Sequence, residues 1–295
     1  MALTAGIVGC GPRGIDHAVA LGEVDGVDLG GMVDLAAERC ERAQAELGVP
    51  AYAETGELLS GIRPEIVVVA TPHDVRSEVV EEIAASDFVR AIVVEKPLAL
   101  TMAEAESMVE TCDGAGVQLS VGYQLRFVPH FIALQEAVDS GELGTIEFIR
   151  ASSYGHLLDQ GPHLIDAARC LTGDRRVLWA MSQRGGALTP AQAPGDRDGL
   201  LPDLPAWTTH NLALEGGIRC TLETGPLHQR SDRFGQGSDE IDDYLDKRLT
   251  VVGSRGVAQF VTGGDYRIMT EDDQGWRTHP GGIERYLSAN RAFHE

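Results

Sequence analysis

Positive charge is scarce in this chain. Across 295 residues, 24 Lys and Arg stand against 45 Asp and Glu, a formal net charge of -21. Nucleic acid and anionic membrane surfaces are held by clustered cations that displace counterions, so neither is an expected partner and a small-molecule ligand fits better. Cys10, Cys40, Cys112, Cys170 and Cys220 are odd in number, widely spaced and form no C-x-x-C pair, which argues against a disulfide scaffold or a zinc ribbon. No stretch reaches the ~18 apolar residues of a membrane span. The opening MALTAGIVGCG also lacks the basic start of a secretory signal, so the expectation is a cytoplasmic protein. There is no internal repeat.

What is present is an ordinary soluble balance, 43% hydrophobic and 23% charged, on a chain long enough for two domains. Up to residue 122, short apolar strands (TAGIVG, VDLGGMVD, EIVVVATP, AIVVEKP, VQLSVGY) alternate with helix-length segments near 13–24, 36–48, 74–87 and 101–115. Strands apolar on both faces predict a doubly wound parallel sheet, an α/β Rossmann domain over 1–122. From 123 to 295 the texture differs. TIEFIRASSY, RVLWAMSQR, TTHNLALEG, IRCTLETG, RLTVVG, GVAQFVTG and DYRIMTE alternate as half-buried strands do, with EGGIR and VGSRGVAQ as hairpin turns and one helix, DQGPHLIDAARCLTG. This predicts an α+β domain on a largely antiparallel open sheet, with long loops at ALTPAQAPGDRDGLLPDLP and HQRSDRFGQGSDEIDDYLD.

Gly9-Cys10-Gly11-Pro12-Arg13-Gly14 is a G-x-G-x-x-G between the first strand and the first helix, and Asp34 ends the second strand 20 residues beyond Gly14. In a dinucleotide site Gly9 permits the turn, Gly11 admits the pyrophosphate, Gly14 lets helix and strand pack closely, and the acid binds the adenosine ribose. The structural alternative is a glycine turn with Asp34 capping the next helix. A carboxylate there favours NAD over NADP by repelling a 2'-phosphate; Arg39 or Arg42 swinging inward would reverse this, so NADP stays open.

IVVEKPLALT ends a buried strand in Glu95-Lys96-Pro97. In a parallel sheet, ligands collect beyond the strands' carboxyl ends, where Gly9, Thr71-Pro72 and Glu95-Lys96 all fall. There Lys96 can donate a hydrogen bond to a developing alkoxide, and Glu95 can orient it and balance its charge. The alternative is an exposed Lys-Pro at a strand exit.

Together AGIVGCGPRG, the Asp34 strand end, VVVATP, VVEKPLALTMAEAE, VGYQLRFVPHF, SGELGTIEFIRAS and DQGPHLIDAARCLTG resemble the Gfo/Idh/MocA oxidoreductases over nearly the whole chain. The resemblance implies an NAD(P)-dependent enzyme acting on sugars and polyols, with Lys96 and an Asp-x-x-x-His element, Asp159 and His163, as its catalytic residues. Cofactor contacts are then expected from Gly9, Gly11, Pro12, Arg13, Gly14, Asp34, Thr71, Pro72, Glu95 and Lys96. Tyr123, Arg126 and His130 are candidate substrate contacts, although Arg126 serves equally well in a structural ion pair.

Asp159 and His163, four apart, share one helix face, with Pro162 expected in the first turn and Leu164, Ala167, Ala168 and Leu171 packing on a core. His163 can exchange a substrate hydroxyl proton near neutral pH. Asp159 orients it, binds a hydroxyl, or caps the helix; Asp166 is expected to support the fold or to make a contact behind the site. A rival reading makes His156, Asp159 and His163 metal ligands, but it leaves the glycine motif without a role. The acids from Asp239 to Asp246 lack the spacing of a calcium loop.

Three departures from the family concern the substrate pocket. Arg76 stands where the family often has His in T-P-x-x-x-H, the connection before Asp159 is short, and SANRAFHE ends the chain early. Two further functions remain open: an enzyme using NAD transiently for elimination, hydrolysis or epimerisation, and a non-catalytic NAD sensor. A homo-oligomer paired through the antiparallel sheet is expected.

Overall fold

The computed structural model describes residues 2–155, 157–186, 205, 207–225, 247–281 and 294. They fall into two compact units with the break between Gln124 and Leu125, and His294 belongs with the first.

The first unit is a six-stranded parallel sheet in the order β3-β2-β1-β4-β5-β6. Its strands are β1 (Leu3–Val8), β2 (Val27–Val33), β3 (Ala51–Tyr52), β4 (Ile66–Val69), β5 (Ala91–Val94) and β6 (Gln118–Val121). Its helices are α1 (Pro12–Leu21), α2 (Ala37–Leu47), α3 (Thr55–Ile62), α4 (Arg76–Ala84) and α5 (Met102–Ala115). Apolar clusters lie on both faces, one around Val67, Val69, Ile83 and Ile92, the other around Ala5, Ile7, Met32 and Val68. That double burial is why these strands read as unbroken apolar runs rather than alternating ones. Strand order reverses between β1 and β4, so the connections leaving them diverge and open a crevice at their carboxyl ends.

All five strands expected here form. The short β3 and the helix α3 were not foreseen: β3 is too brief for periodicity, and TGELLSGI carries two glycines that lower its helix propensity. α3 forms because Leu58 and Leu59 are buried in the first of those clusters.

The second unit is an eight-stranded sheet ordered β14-β13-β12-β11-β7-β10-β9-β8. It comprises β7 (Ile146–Ser153), β8 (Val177–Gly185), β9 (Trp207–Leu214), β10 (Arg219–Thr224), β11 (Lys247–Gly253), β12 (Gly256–Val261), β13 (Tyr266–Thr270) and β14 (Arg277–His279). Among the described residues only the β7–β10 pair of this sheet is parallel. Both expected hairpins form, β9 to β10 and β11 to β12.

Helices α6 (Pro129–Asp139) and α7 (Leu157–Leu171) cover one face, α7 over β7 and β10, α6 over β12 and β13. The core between them holds Phe131, Leu134, Leu164, Ala167, Ala168, Leu171, Leu222 and Phe260. α6 and β14 went unread in the sequence. The two long loops expected in this half lie outside the described residues except for Pro205, as do His156 and the acids from Asp239 to Asp246. Among the described residues no helix is long and apolar enough to cross a membrane.

Pro162 differs from expectation. α7 starts at least as early as Leu157, which puts Pro162 inside the helix rather than in its first turn. Having no N–H, Pro162 cannot bond the carbonyl of Leu158. Burial of the four expected apolar residues on the core holds the helix across that gap.

Candidate cofactor and catalytic sites

The glycine loop is built for a close approach. Gly9 has φ of +111°, and a Cβ on it would lie 2.8 Å from the carbonyl oxygen of Ala70 at the end of β4. A Cβ on Gly14 would fall 1.8 Å from the carbonyl oxygen of Gly9, so α1 could not sit so close to β1 with any other residue there. Gly11, the N-cap of α1, faces open space: nothing lies within 4 Å of where its Cβ would be, and Pro12 follows at the first helical position. An exposed helix start with room above it fits a pyrophosphate. Across the crevice the hydroxyl of Thr71 is buried without a hydrogen-bond partner, a group that a bound ligand can satisfy.

Asp34 joins β2 to this loop. Its Oδ2 accepts from the Cys10 N–H at 2.9 Å and its Oδ1 from the Ala36 N–H at 2.9 Å. It is not the cap of α2, a position held by Ala36. A carboxylate has about four lone-pair sites, so acceptor capacity remains for ribose hydroxyls. Of the two arginines that could alter cofactor choice, Arg39 Nη1 lies 3.6 Å from Asp34 Oδ2, while Arg42 donates to the Cys10 carbonyl at 3.4 Å.

Glu95 is 5% exposed. The Glu95 carboxylate reaches α1: Arg13 donates to Oε1 through Nε at 3.2 Å and Nη2 at 3.0 Å, and His17 Nε2 lies 2.8 Å from the same oxygen. His17 Nδ1 is in turn 2.8 Å from Nε2 of His294. Burial by itself would raise the Glu95 pKa. The His17 hydrogen bond, Arg13, the His17 charge and Lys96 outweigh it and bring the value down to about 2. Burial, followed by the His17 charge, lowers His294 to about 4 against a smaller opposing pull from Glu95. Arg13, expected at the cofactor, pairs with Glu95 and Asp16. Neither histidine was singled out beforehand, though His17 follows Gly14 by less than one helical turn.

Arg76 is the other unforeseen member. It is 3% exposed, and its guanidinium donates to the carbonyls of Thr71 at 2.6 Å, Glu95 at 2.6 Å, and Pro97. One side chain therefore ties the exit of β4 to the backbone on either side of Lys96, which is half-buried and joined to Pro97 by a cis peptide. Burial lowers the Arg76 pKa, against Glu95 and Asp74. Arg76→Met removes donors from three carbonyls and is expected to cost about 3 kcal/mol in denaturant unfolding. An unchanged unfolding midpoint would show that water replaces the guanidinium without loss.

In the second unit, Asp159 lies in the first turn of α7 and accepts from Gln160 Nε2 at 2.7 Å. His163, one turn on, is 6% exposed. Arg126 forms a two-pronged pair with Asp166 at 2.9 and 2.6 Å, the structural option foreseen for both. The Asp166 hydrogen bond, opposed by burial, raises the Arg126 pKa. His130 is 7% exposed, 3.3 Å from the Gly264 carbonyl and beside Tyr266. Tyr123, in the first unit, is half-buried just past β6. Among the described residues no group of three His, Cys, Asp or Glu could hold a metal.

Residues 3–123 match the family model of the Gfo/Idh/MocA oxidoreductases, described as an oxidoreductase family with an NAD-binding Rossmann fold. The chain is 29% identical over 290 residues to D-apiose dehydrogenase of Paraburkholderia graminis, a match covering 92% of this chain and 70% of that protein. It is 31% identical over 185 residues to myo-inositol 2-dehydrogenase of Thermotoga maritima, 57% of this chain and 54% of that one. A crystal structure of an Agrobacterium radiobacter oxidoreductase with NAD+, L-tartaric acid and magnesium superposes with a TM-score of 0.81 at 18% identity, covering all of this chain and 86% of the other. Fold and glycine loop thus make the first unit an NAD-binding domain of the Rossmann class. Its first unit matches the NAD-binding domain of the Gfo/Idh/MocA oxidoreductases, and the chain as a whole is similar to dehydrogenases of sugars and inositols.

Proposed function

We propose that the protein is an NAD-dependent dehydrogenase or reductase acting at a carbinol or carbonyl carbon of a sugar, polyol or sugar derivative. The observation that carries this is the Lys96 strand exit on an NAD-binding unit in a chain whose relatives are named as apiose and inositol dehydrogenases. When bound, the nicotinamide supplies the hydride acceptor or donor. Lys96 donates a hydrogen bond to the reacting oxygen and stabilises its developing negative charge. In the oxidative direction a ring nitrogen of His163 takes the hydroxyl proton, and in the reductive direction it returns one. Asp159 orients the substrate or the imidazole.

The first unit is then the cofactor domain and the second the substrate and oligomerisation domain. Five free cysteines support a cytoplasmic setting. Leu178, Trp179 and Met181, exposed on β8, support a homo-oligomer formed through the second sheet.

The test is a titration with NADH and with NADPH, following energy transfer from the three tryptophans to the nicotinamide. NADH is expected to bind more tightly, and Asp34→Ala to weaken it roughly 10- to 100-fold, the worth of hydrogen bonds to a charged group. Equal affinity for both nucleotides in the parent protein would overturn the assignment of Asp34.

A further inference from the structure

The chain contains 22 arginines and 2 lysines, Lys96 and Lys247. Arginine meets almost every need for a cation, and the compact ammonium is kept at two places, neither of them fully exposed. Lys96 is half-buried at the strand exit described above. Lys247, the first residue of β11, is 3% exposed, so solvation of the surface does not explain it. An ammonium is strongly hydrated, and burying one is costly unless it has oxygens to hold.

The sheet register shows which residues flank Lys247 on the neighbouring strands. Lys247 pairs with Ser153 of β7, Ser153 with Thr224 of β10, and Thr224 with Thr208 of β9. On the other side, the backbone N–H of Lys247 donates to the hydroxyl of Thr262 at 2.8 Å. Residues in register share a face of a sheet. Two residues along their strands from Ser153, Thr224 and Lys247, that face carries Ala151, Leu222 and Leu249 of the core beneath α6 and α7. The covered face of this sheet thus ends in a polar row of Lys247, Ser153, Thr224 and Thr208, none more than 3% exposed, in which the two threonine hydroxyls lie 2.7 Å apart.

This row connects with the start of α7. The Ser153 hydroxyl lies 3.5 Å from Gln160 Oε1, and Gln160 Nε2 donates to Asp159 at 2.7 Å. One strand spacing, about 4.8 Å, and two side-chain steps therefore separate Lys247 from Asp159, a turn before His163.

We propose that Lys247 is a substrate-binding residue that donates a hydrogen bond to a substrate oxygen away from the reacting carbon. An ammonium has three N–H donors, so it can keep a partner in the fold and still hold a ligand oxygen. Hydroxyl and carboxylate oxygens both accept from it, which suits a polyol or a sugar acid. This rests on the sugar and polyol reading above.

Having only two lysines makes the test direct. Lysine labelled at Cε and Nζ gives two side-chain NMR signals, assigned through Lys96→Arg and Lys247→Arg. The NADH-loaded protein is titrated with myo-inositol, D-apiose and D-glucuronate. The ligand that moves the Lys96 signal is expected to move the Lys247 signal with the same half-saturation. A response led by glucuronate identifies a carboxylate acceptor, and one led by inositol or apiose a hydroxyl.

Lys247→Met is expected to raise KM for that ligand about tenfold, the loss of one charge-assisted hydrogen bond. It should leave kcat within about threefold, because uniform binding rather than transition-state stabilisation is lost. Lys247→Arg should recover part of the affinity. If Lys96 responds alone, or Lys247→Met lowers thermal stability without raising KM, Lys247 is structural and the proposal falls while the polyol reading stands. If no ligand moves either signal, both fall together.

Discussion

Lys96→Met is expected to lower turnover of a sugar or polyol substrate by roughly 10²- to 10³-fold, the usual effect of removing one donor from a developing oxyanion. NADH affinity should stay within about twofold. Methionine keeps an unbranched apolar stem and loses the terminal ammonium with its charge and donors. Arg76 ties down the Glu95 and Pro97 carbonyls on either side of position 96 and does so in the variant as well. Steady-state rates and NADH titration on the same preparation separate the two effects. A Met variant with full turnover would remove Lys96 from the chemistry. A parent protein that binds NADH and turns over none of the sugars and polyols would favour the NAD-sensing alternative.

The second large effect is acid lability centred on Glu95. In the fold this carboxylate has a pKa of about 2 against an ordinary 4.5, so its contribution to stability is complete above pH 4.5 and is lost as pH falls toward 2. His294 is held neutral, at about 4 against 6.5, so its contribution is complete above pH 6.5 and is lost as pH falls through 4. Both groups belong to one chain of contacts with Arg13, His17 and Lys96, so their losses overlap. At 1.36 kcal/mol per pKa unit each is worth about 3 kcal/mol.

Chemical unfolding of the parent should therefore hold steady above pH 6.5 and weaken progressively below it. Glu95→Gln is expected to cost about 3 kcal/mol at pH 7.5, since Arg13 and His17 then face a neutral amide, and less at pH 3. His294→Ala should flatten the decline between pH 6.5 and 4. Equal midpoints for parent and Glu95→Gln at every pH would mean that the carboxylate contributes nothing through this network.

The cofactor half was legible because its chemistry is local or its pattern uniform. Strands buried on both faces of a parallel sheet show as runs of Val and Ile. The glycine loop is a backbone requirement written in consecutive residues, and Asp34 lies at a distance set by one strand, one helix and their turns. The face of α7 that packs on the core was equally readable from its period. The functions of Glu95 and Arg76 were not. Glu95 sits next to Lys96 in sequence, but its oxygens bond to Arg13 and His17, 82 and 78 residues away. Arg76 looked like a departure from a family pattern until it proved to donate to carbonyls at two strand exits.

By itself, then, the sequence determined the two fold classes, the strand that carries the cofactor loop, and the residue types that make hydride-transfer chemistry possible. Tertiary structure alone decided which charge answers which. It turned Glu95 toward α1, paired Arg126 with Asp166, and brought Lys247 into one row with Ser153, Thr224 and Thr208. The physical reason is that periodicity and turn chemistry act over a few residues. A buried charge is stabilised by whatever donors the packed strands bring within about 3 Å, and the order of strands in a sheet is not their order in the chain.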